Sequence, residues 1–226
     1  MKKIIFFLFA LNFFVSVSAQ VKVSVLGDSY STFEGWIPAG NEPWYGAEMG
    51  HDVKNVEDTW WYRLIEDNGL ELLLNNSWSG ATICNTGYRG EDYTNRSFLT
   101  RSGDLGDDPD IIFVFGGTND SWAGSPLGEA DGNDMFTVRP ASKAMFKNIK
   151  KVYPDALCIA IINTELSKDV ENAILDACAS ESIPYIKLKD IDKQSGHPSM
   201  NGMRQISSQV WKATAPLLYE NLKRSN

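Results

Sequence analysis

Residues 21–33 read VKVSVLGDSYSTF: a strand-like apolar run from Val21 to Leu26, then Gly27, Asp28 and Ser29, then a polar turn. Valine-rich runs of this length, ended by a glycine, form strands that stop abruptly and deliver the next residues into a loop. The residue delivered here is a serine, and it matters what the rest of the chain brings to it.

Working outward, short apolar runs alternate with helical patterns, which argues for an α/β domain with a mainly parallel sheet. Five strands are expected: Val21 to Leu26, Leu70 to Leu74, Ile111 to Phe115, Leu157 to Ile162 and Ile183 to Leu188. Between them lie helical segments. Trp60 to Asp67 is preceded by Asp58 and Thr59 as caps and stopped by Asn68-Gly69. Pro140 to Val152 starts at its proline. Lys168 to Ala179 places Val170, Ala173, Ile174 and Ala177 on one face. The last helix runs from about Met200, capped by Ser199, to about Leu222, with Ile206, Val210 and Leu217 turned to the sheet. Glu34 to Glu57 and Trp122 to Val138 show no periodicity, and both should overhang the carboxyl edge of the sheet.

The N-terminus has its own pattern. Lys2 and Lys3 precede an apolar run from Ile4 to Val17, and Val17-Ser18-Ala19 is a small-residue cleavage site. Residues 1–19 read as a secretory signal and 20–226 as one domain, giving a secreted or periplasmic protein. The run is shorter than the ~20 residues a spanning helix needs, so no stable membrane insertion is expected. A net charge of −8 and scattered Lys and Arg disfavour nucleic acid and anionic surfaces. The three cysteines cannot all pair, and a Cys158–Cys178 bridge is left open. Two histidines, His51 and His197, are too few for multi-histidine metal sites, and neither a metal nor a cofactor is expected.

In an open parallel sheet, ligands bind outside the carboxyl ends of the strands. Three motifs fall there: Gly27-Asp28-Ser29, Ser77-Trp78-Ser79-Gly80 and Gly117-Thr118-Asn119-Asp120. A fourth, Gly196-His197-Pro198, precedes the last helix. Taken singly, Ser29 fits a helix cap, Asn119 a turn and His197 a surface position. Taken in order, Ser29, Gly80, Asn119 and His197 resemble the SGNH, or GDSL-type, hydrolase family, whose defining set is serine, glycine, asparagine and histidine in that sequence. The resemblance spans the chain beyond residue 20. It implies a three-layer α/β/α, flavodoxin-like fold, a Ser29 nucleophile with a His197 base, and an oxyanion hole from Ser29, Gly80 and Asn119. The chemistry concurs, because a neutral serine needs a base in hydrogen-bond reach and a tetrahedral intermediate needs donors at its oxygen.

One position departs from the family. The acid expected three residues before the histidine is Gln194 here. Either Asp192 or Asp190 replaces it, or Ser29 and His197 work as a dyad helped by Gln194 or a backbone carbonyl; the spacing slightly favours the dyad. Asp28 and Asp120 read as loop-holding groups, His51 as a solvated residue and Cys84 as packing or site lining. Trp36, Trp44, Tyr45, Trp78 and Trp122 lie in loops at the same edge and suggest an aromatic platform for substrate. The expected activity is a carboxylic ester hydrolase removing small acyl groups such as acetyl from a glycan or small-molecule ester. A glycan-binding protein on a degenerate scaffold, or a lipase or thioesterase, stand as alternatives.

Overall fold

The computed structural model describes residues 20–225. The signal segment assigned to residues 1–19, and with it the cleavage site, lies outside the described residues. In chain order the elements are β1 (Lys22–Gly27), α1 (Trp60–Asp67), β2 (Glu71–Ser77), α2 (Phe98–Arg101), β3 (Ile111–Phe115), α3 (Thr118–Ala123) and α4 (Val138–Val152). They continue with β4 (Leu157–Ile162), α5 (Lys168–Glu181), β5 (Tyr185–Lys187), β6 (Lys193–Gln194), β7 (His197–Pro198) and α6 (Met200–Ser225). β1 to β5 form one sheet in the order β2-β1-β3-β4-β5, and every pairing in it is parallel.

The period-2 geometry of a strand explains why β3 is apolar at every position. Ile111, Phe113 and Phe115 face a core shared with Trp60, Trp61 and Leu64 of α1 and Met203, Ile206 and Val210 of α6. Ile112 and Val114 face the opposite core, shared with Phe98 of α2, Met145 and Phe146 of α4, and Val170 and Ile174 of α5. Helices therefore cover both faces, in three layers. Ser24, fully buried in β1, spends its hydroxyl on the Leu105 carbonyl at 2.6 Å, so this interior strand carries a polar group without penalty.

The expected elements shift at their ends. Thr59 caps α1 through a bond from the Tyr62 N–H. α4 begins two residues before Pro140, which still sits in the first turn where its missing N–H costs nothing. β2 begins one residue later than expected and runs on to Ser77, because Asn75 and Asn76 pair with Val25 and Leu26. α2, α3 and the β6–β7 hairpin are too short for a periodicity to show in sequence. The sheet leaves Cys84, Cys158 and Cys178 as buried free thiols, so the bridge left open between the last two does not form here. Burial pushes the Cys178 thiol up to about 12.

β1 lies between β2 and β3, so the chain leaves β1 toward one side of the sheet and later returns on the other. That reversal opens a crevice beyond the carboxyl ends of β1 and β3. Phe113, fully buried against Trp60, pins the sheet to α1 directly beneath this crevice. Phe113→Ala should cost about 3–5 kcal/mol of unfolding free energy by urea titration, through the cavity it leaves.

Candidate active site

The turn after β1 is shaped by steric exclusion. A Cβ on Gly27 would stand 2.4 Å from Ser77 Oγ and 2.6 Å from Ser31 Cβ, so only glycine lets the turn fold back across the end of β2. Ser29 then opens a short 3-10 turn, Ser29–Ser31, capped by Asp28, whose Oδ1 accepts the Tyr30 N–H at 3.0 Å. The turn is fastened from below by Asn75 Nδ2, donating to the Ser31 carbonyl at 2.8 Å, and by Trp60 Nε1, donating to Ser31 Oγ at 3.1 Å. Ser29 has no freedom to wander.

His197 reaches this serine from a two-strand ribbon. β6 and β7 pair antiparallel, with Gln194 opposite His197, and the loop between them is Ser195-Gly196 with φ of +52° and +80°. Two left-handed residues in a two-residue loop make the tightest hairpin available. Two tyrosines hold it down: Tyr30 donates to the Gly196 carbonyl at 2.6 Å and Tyr45 to the Pro198 carbonyl at 2.7 Å. The result places His197 Nε2 2.9 Å from Ser29 Oγ, with Nδ1 3.3 Å from the Ser195 carbonyl. A carbonyl can only accept, so Nδ1 carries the proton and Nε2 presents its lone pair to the serine. Burial holds the imidazole down to about 4, so at neutral pH it is an uncharged base.

On the other side of Ser29 lie hydrogen-bond donors. Gly80 has φ +77° and open space where a side chain would stand, leaving its N–H uncrowded. Its loop is tied by Asp120, whose two oxygens accept the Ile83 N–H at 2.8 Å and the Cys84 N–H at 3.3 Å. Asn119, at the start of α3, donates through Nδ2 to the Ala81 carbonyl at 3.0 Å and makes a long 3.5 Å contact to Asp28. Tyr88 donates to Asn119 Oδ1 at 2.8 Å, which fixes the orientation of the amide. One amide N–H is committed to Ala81, and the other is held no more tightly than that long contact.

Asp28, Asp120 and Arg101 are buried beneath these loops. Burial pushes Asp28 up to about 7 and Asp120 up to about 6, and pulls Arg101 down to about 9. Arg101 donates to the carbonyls of Asn76, Gly27 and Arg96, closing the ends of β1 and β2. The two aspartates hold backbone, and neither is hydrogen-bonded to the imidazole.

Several expected site residues stand elsewhere. Asp192 is not on the ring: its carboxylate accepts the Ser199 hydroxyl and its backbone carbonyl accepts the Ser199 N–H, because it closes the base of the hairpin against α6. Gln194 is exposed on β6, Asp190 is exposed before it, and Nδ1 is taken by the Ser195 carbonyl instead. Trp36 packs on Trp61 and Tyr62 of α1, and Trp78 lies under the Arg96 guanidinium. Tyr45 is 1% exposed and serves the hairpin. Trp44 is stacked against both His197 and His51, so its ring surface is spent on imidazoles, and His51 is part of that stack rather than a solvated residue. Of the five aromatics, Trp122 stands at the edge of His197 and remains 44% exposed. Tyr30, Tyr88, Arg101 and Ser195, which shape the site, carry no motif that sequence reading could have used.

Among the described residues no cluster of three or more His, Cys, Asp or Glu is arranged to hold a metal ion, and no helix is long and apolar enough to cross a membrane. The family model for GDSL-like lipases and acylhydrolases matches residues 21–214. Two solved structures assigned as GDSL-like lipases are similar over nearly their whole length. The one from Bacteroides ovatus is 44% identical, covers 88% of this chain and 100% of its own, and has a TM-score of 0.84. The one from Bacteroides uniformis is 50% identical, covers 87% and 96%, and has a TM-score of 0.83. A family two carbohydrate esterase from Clostridium thermocellum, in complex with cellohexaose, shares the fold at 17% identity, 88% and 64% coverage and a TM-score of 0.60. Comparison with curated proteins returns no match.

The depressed imidazole gives a direct check. By NMR titration His197 should stay neutral as the pH falls through 6.5 and charge only near 4. The unfolded chain takes up this proton near 6.5, so the group's contribution to stability is full above that pH and is lost as the pH falls toward 4.

Proposed function

Because the chain belongs to the GDSL-like lipase/acylhydrolase family, whose members hydrolyse esters, we propose that it is a secreted serine esterase acting on small acyl esters of carbohydrates. The observation that carries the serine mechanism is the 2.9 Å contact between Ser29 Oγ and the unprotonated Nε2 of His197. Ser29 attacks the ester carbonyl as its proton passes to Nε2. The oxyanion is received by the backbone N–H groups of Ser29 and Gly80 and by the second N–H of Asn119. Collapse expels the alcohol, which takes the proton from His197. Water, deprotonated in turn by His197, then attacks the acyl-serine and releases the acid.

Among the described residues no carboxylate is seen hydrogen-bonded to the ring, and the Ser195 carbonyl supports this tautomer in its place. A neutral carbonyl stabilises imidazolium less than a carboxylate would, which predicts a modest turnover rather than a different reaction. The acyl and sugar assignment rests on the exposed Trp122 face beside His197, which suits a sugar ring, and on the carbohydrate esterases that share the fold. Export is supported by the pattern of residues 1–19.

The same uncharged support for His197 favours a second reading, a carbohydrate-binding protein that no longer turns over. A fluorophosphonate probe separates the two: covalent labelling at Ser29 supports the esterase, and a folded protein that stays unlabelled supports binding alone. With a short acyl nitrophenyl ester, Ser29→Ala and His197→Ala should abolish hydrolysis, and Asn119→Ala should lower turnover about 10²–10³-fold. In the wild type, kcat/KM should stay on its plateau as the pH is lowered past 6.5 and fall only near 4, where His197 takes its proton.

A further inference from the structure

The imidazole of His197 lies flat on the indole of Trp44, with ring centroids 3.8 Å apart and planes 12° from parallel. The indole is also tied to the nucleophile's own turn. Its backbone N–H donates to Thr32 Oγ1 at 2.8 Å, and Thr32 Oγ1 donates to the Ser29 carbonyl at 3.1 Å. Ser29, Thr32, Trp44 and His197 thus form one closed circuit, in which the serine touches an edge of the imidazole and the indole covers a face.

What this face does follows from the charge that the reaction creates. When the Ser29 proton reaches Nε2, His197 becomes a cation in a buried site. Its surroundings supply little to balance that charge. Nδ1 meets the Ser195 carbonyl, Tyr30 approaches obliquely with its ring centre 5.2 Å away, and Trp122 presents at 5.6 Å. Lys193 and His51 are the nearby basic groups and both oppose a second positive charge. Lys193 is itself paired with Glu165 at 3.0 Å. Asp192, the nearest acid along the chain, is engaged by Ser199. The face of an indole carries negative potential and is the strongest aromatic partner for a cation, more so where water is excluded.

Resting on the esterase reading above, we infer that Trp44 is a positioning residue that acts through His197, its π face stabilising the imidazolium in the place where a triad acid would otherwise do so. The proton passes from Ser29 to His197 and on to the leaving alcohol, and the attacking water returns one by the same imidazole, so no further group is consumed; the indole gains and loses nothing but polarisation. The indole is further occupied by His51, stacked on it at 4.8 Å.

The test replaces Trp44 by mono-, di- and tetrafluorotryptophan, which drain the ring face of negative potential at nearly constant shape. With a short acyl nitrophenyl ester, kcat should fall stepwise with each added fluorine while KM stays constant. Trp44→Leu, which stays apolar but has no π face, should lose about tenfold in kcat, and Trp44→Phe should recover part of that loss. A wild-type enzyme that turns over, with a flat fluorination series, overturns this inference and leaves the esterase reading intact. A folded wild-type protein that neither labels with fluorophosphonate nor hydrolyses the ester overturns the esterase reading, and this inference with it. The fluorinated series decides the matter even if Trp44→Leu fails to fold.

Discussion

The contact on which the site depends joins residues 168 positions apart, Ser29 and His197. Neither side is rigid on its own. The serine sits on a single 3-10 turn, and the histidine on a ribbon of two residues per strand, far below the size that is stable alone. The turn is held by Asn75 and Trp60, and the turn side then holds the hairpin: Tyr30, the residue after Ser29, bonds its Gly196, and Tyr45, beside Trp44, bonds its Pro198. Holding the hairpin and aligning the pair are therefore one structural event.

Electrostatics are divided between two levels of the fold. Beneath the crevice, Asp28, Asp120 and Arg101 are fully enclosed and act on backbone amides and carbonyls, where buried charge is offset by hydrogen bonds. At the crevice itself the groups are neutral: a hydroxyl, an uncharged imidazole, an amide and a glycine N–H. Around them, hydrogen-bond donors lie toward one side of Ser29, and the Trp44 indole and the Ser195 carbonyl lie against His197 on the other. Of the groups the sequence offers to the histidine, it is a backbone carbonyl and not Asp192 that meets the ring, because the chain between β5 and α6 turns as a hairpin. That turn sends Asp192 to cap α6 and offers the Ser195 carbonyl to the ring.

The aromatic loop residues show the limits of composition as a guide. Five aromatics gathered at one edge of a sheet suggest a platform, yet Tyr45 is a tether, Trp44 is stacked on two imidazoles, Trp36 packs on α1 and Trp78 lies under Arg96. Only the direction in which each ring leaves its loop separates these roles, and no spacing rule in an irregular loop encodes that direction.

Much was nonetheless legible in the amino-acid order. The five strands, the covering helices and the edge of the sheet at which Ser29, Gly80 and Asn119 gather all follow from local patterns, because strand and helix periodicity and the stops made by glycine are written in neighbouring residues. The family likewise showed in four short motifs taken in order. What tertiary structure alone decided is which group backs His197, how the Asn119 amide is oriented, and which exposed aromatic stands beside the histidine. Those depend on Ser195, Tyr88 and Trp44 meeting partners dozens of residues away or across a turn of left-handed residues. Such contacts exist only once the chain has closed on itself, so no local pattern can carry them.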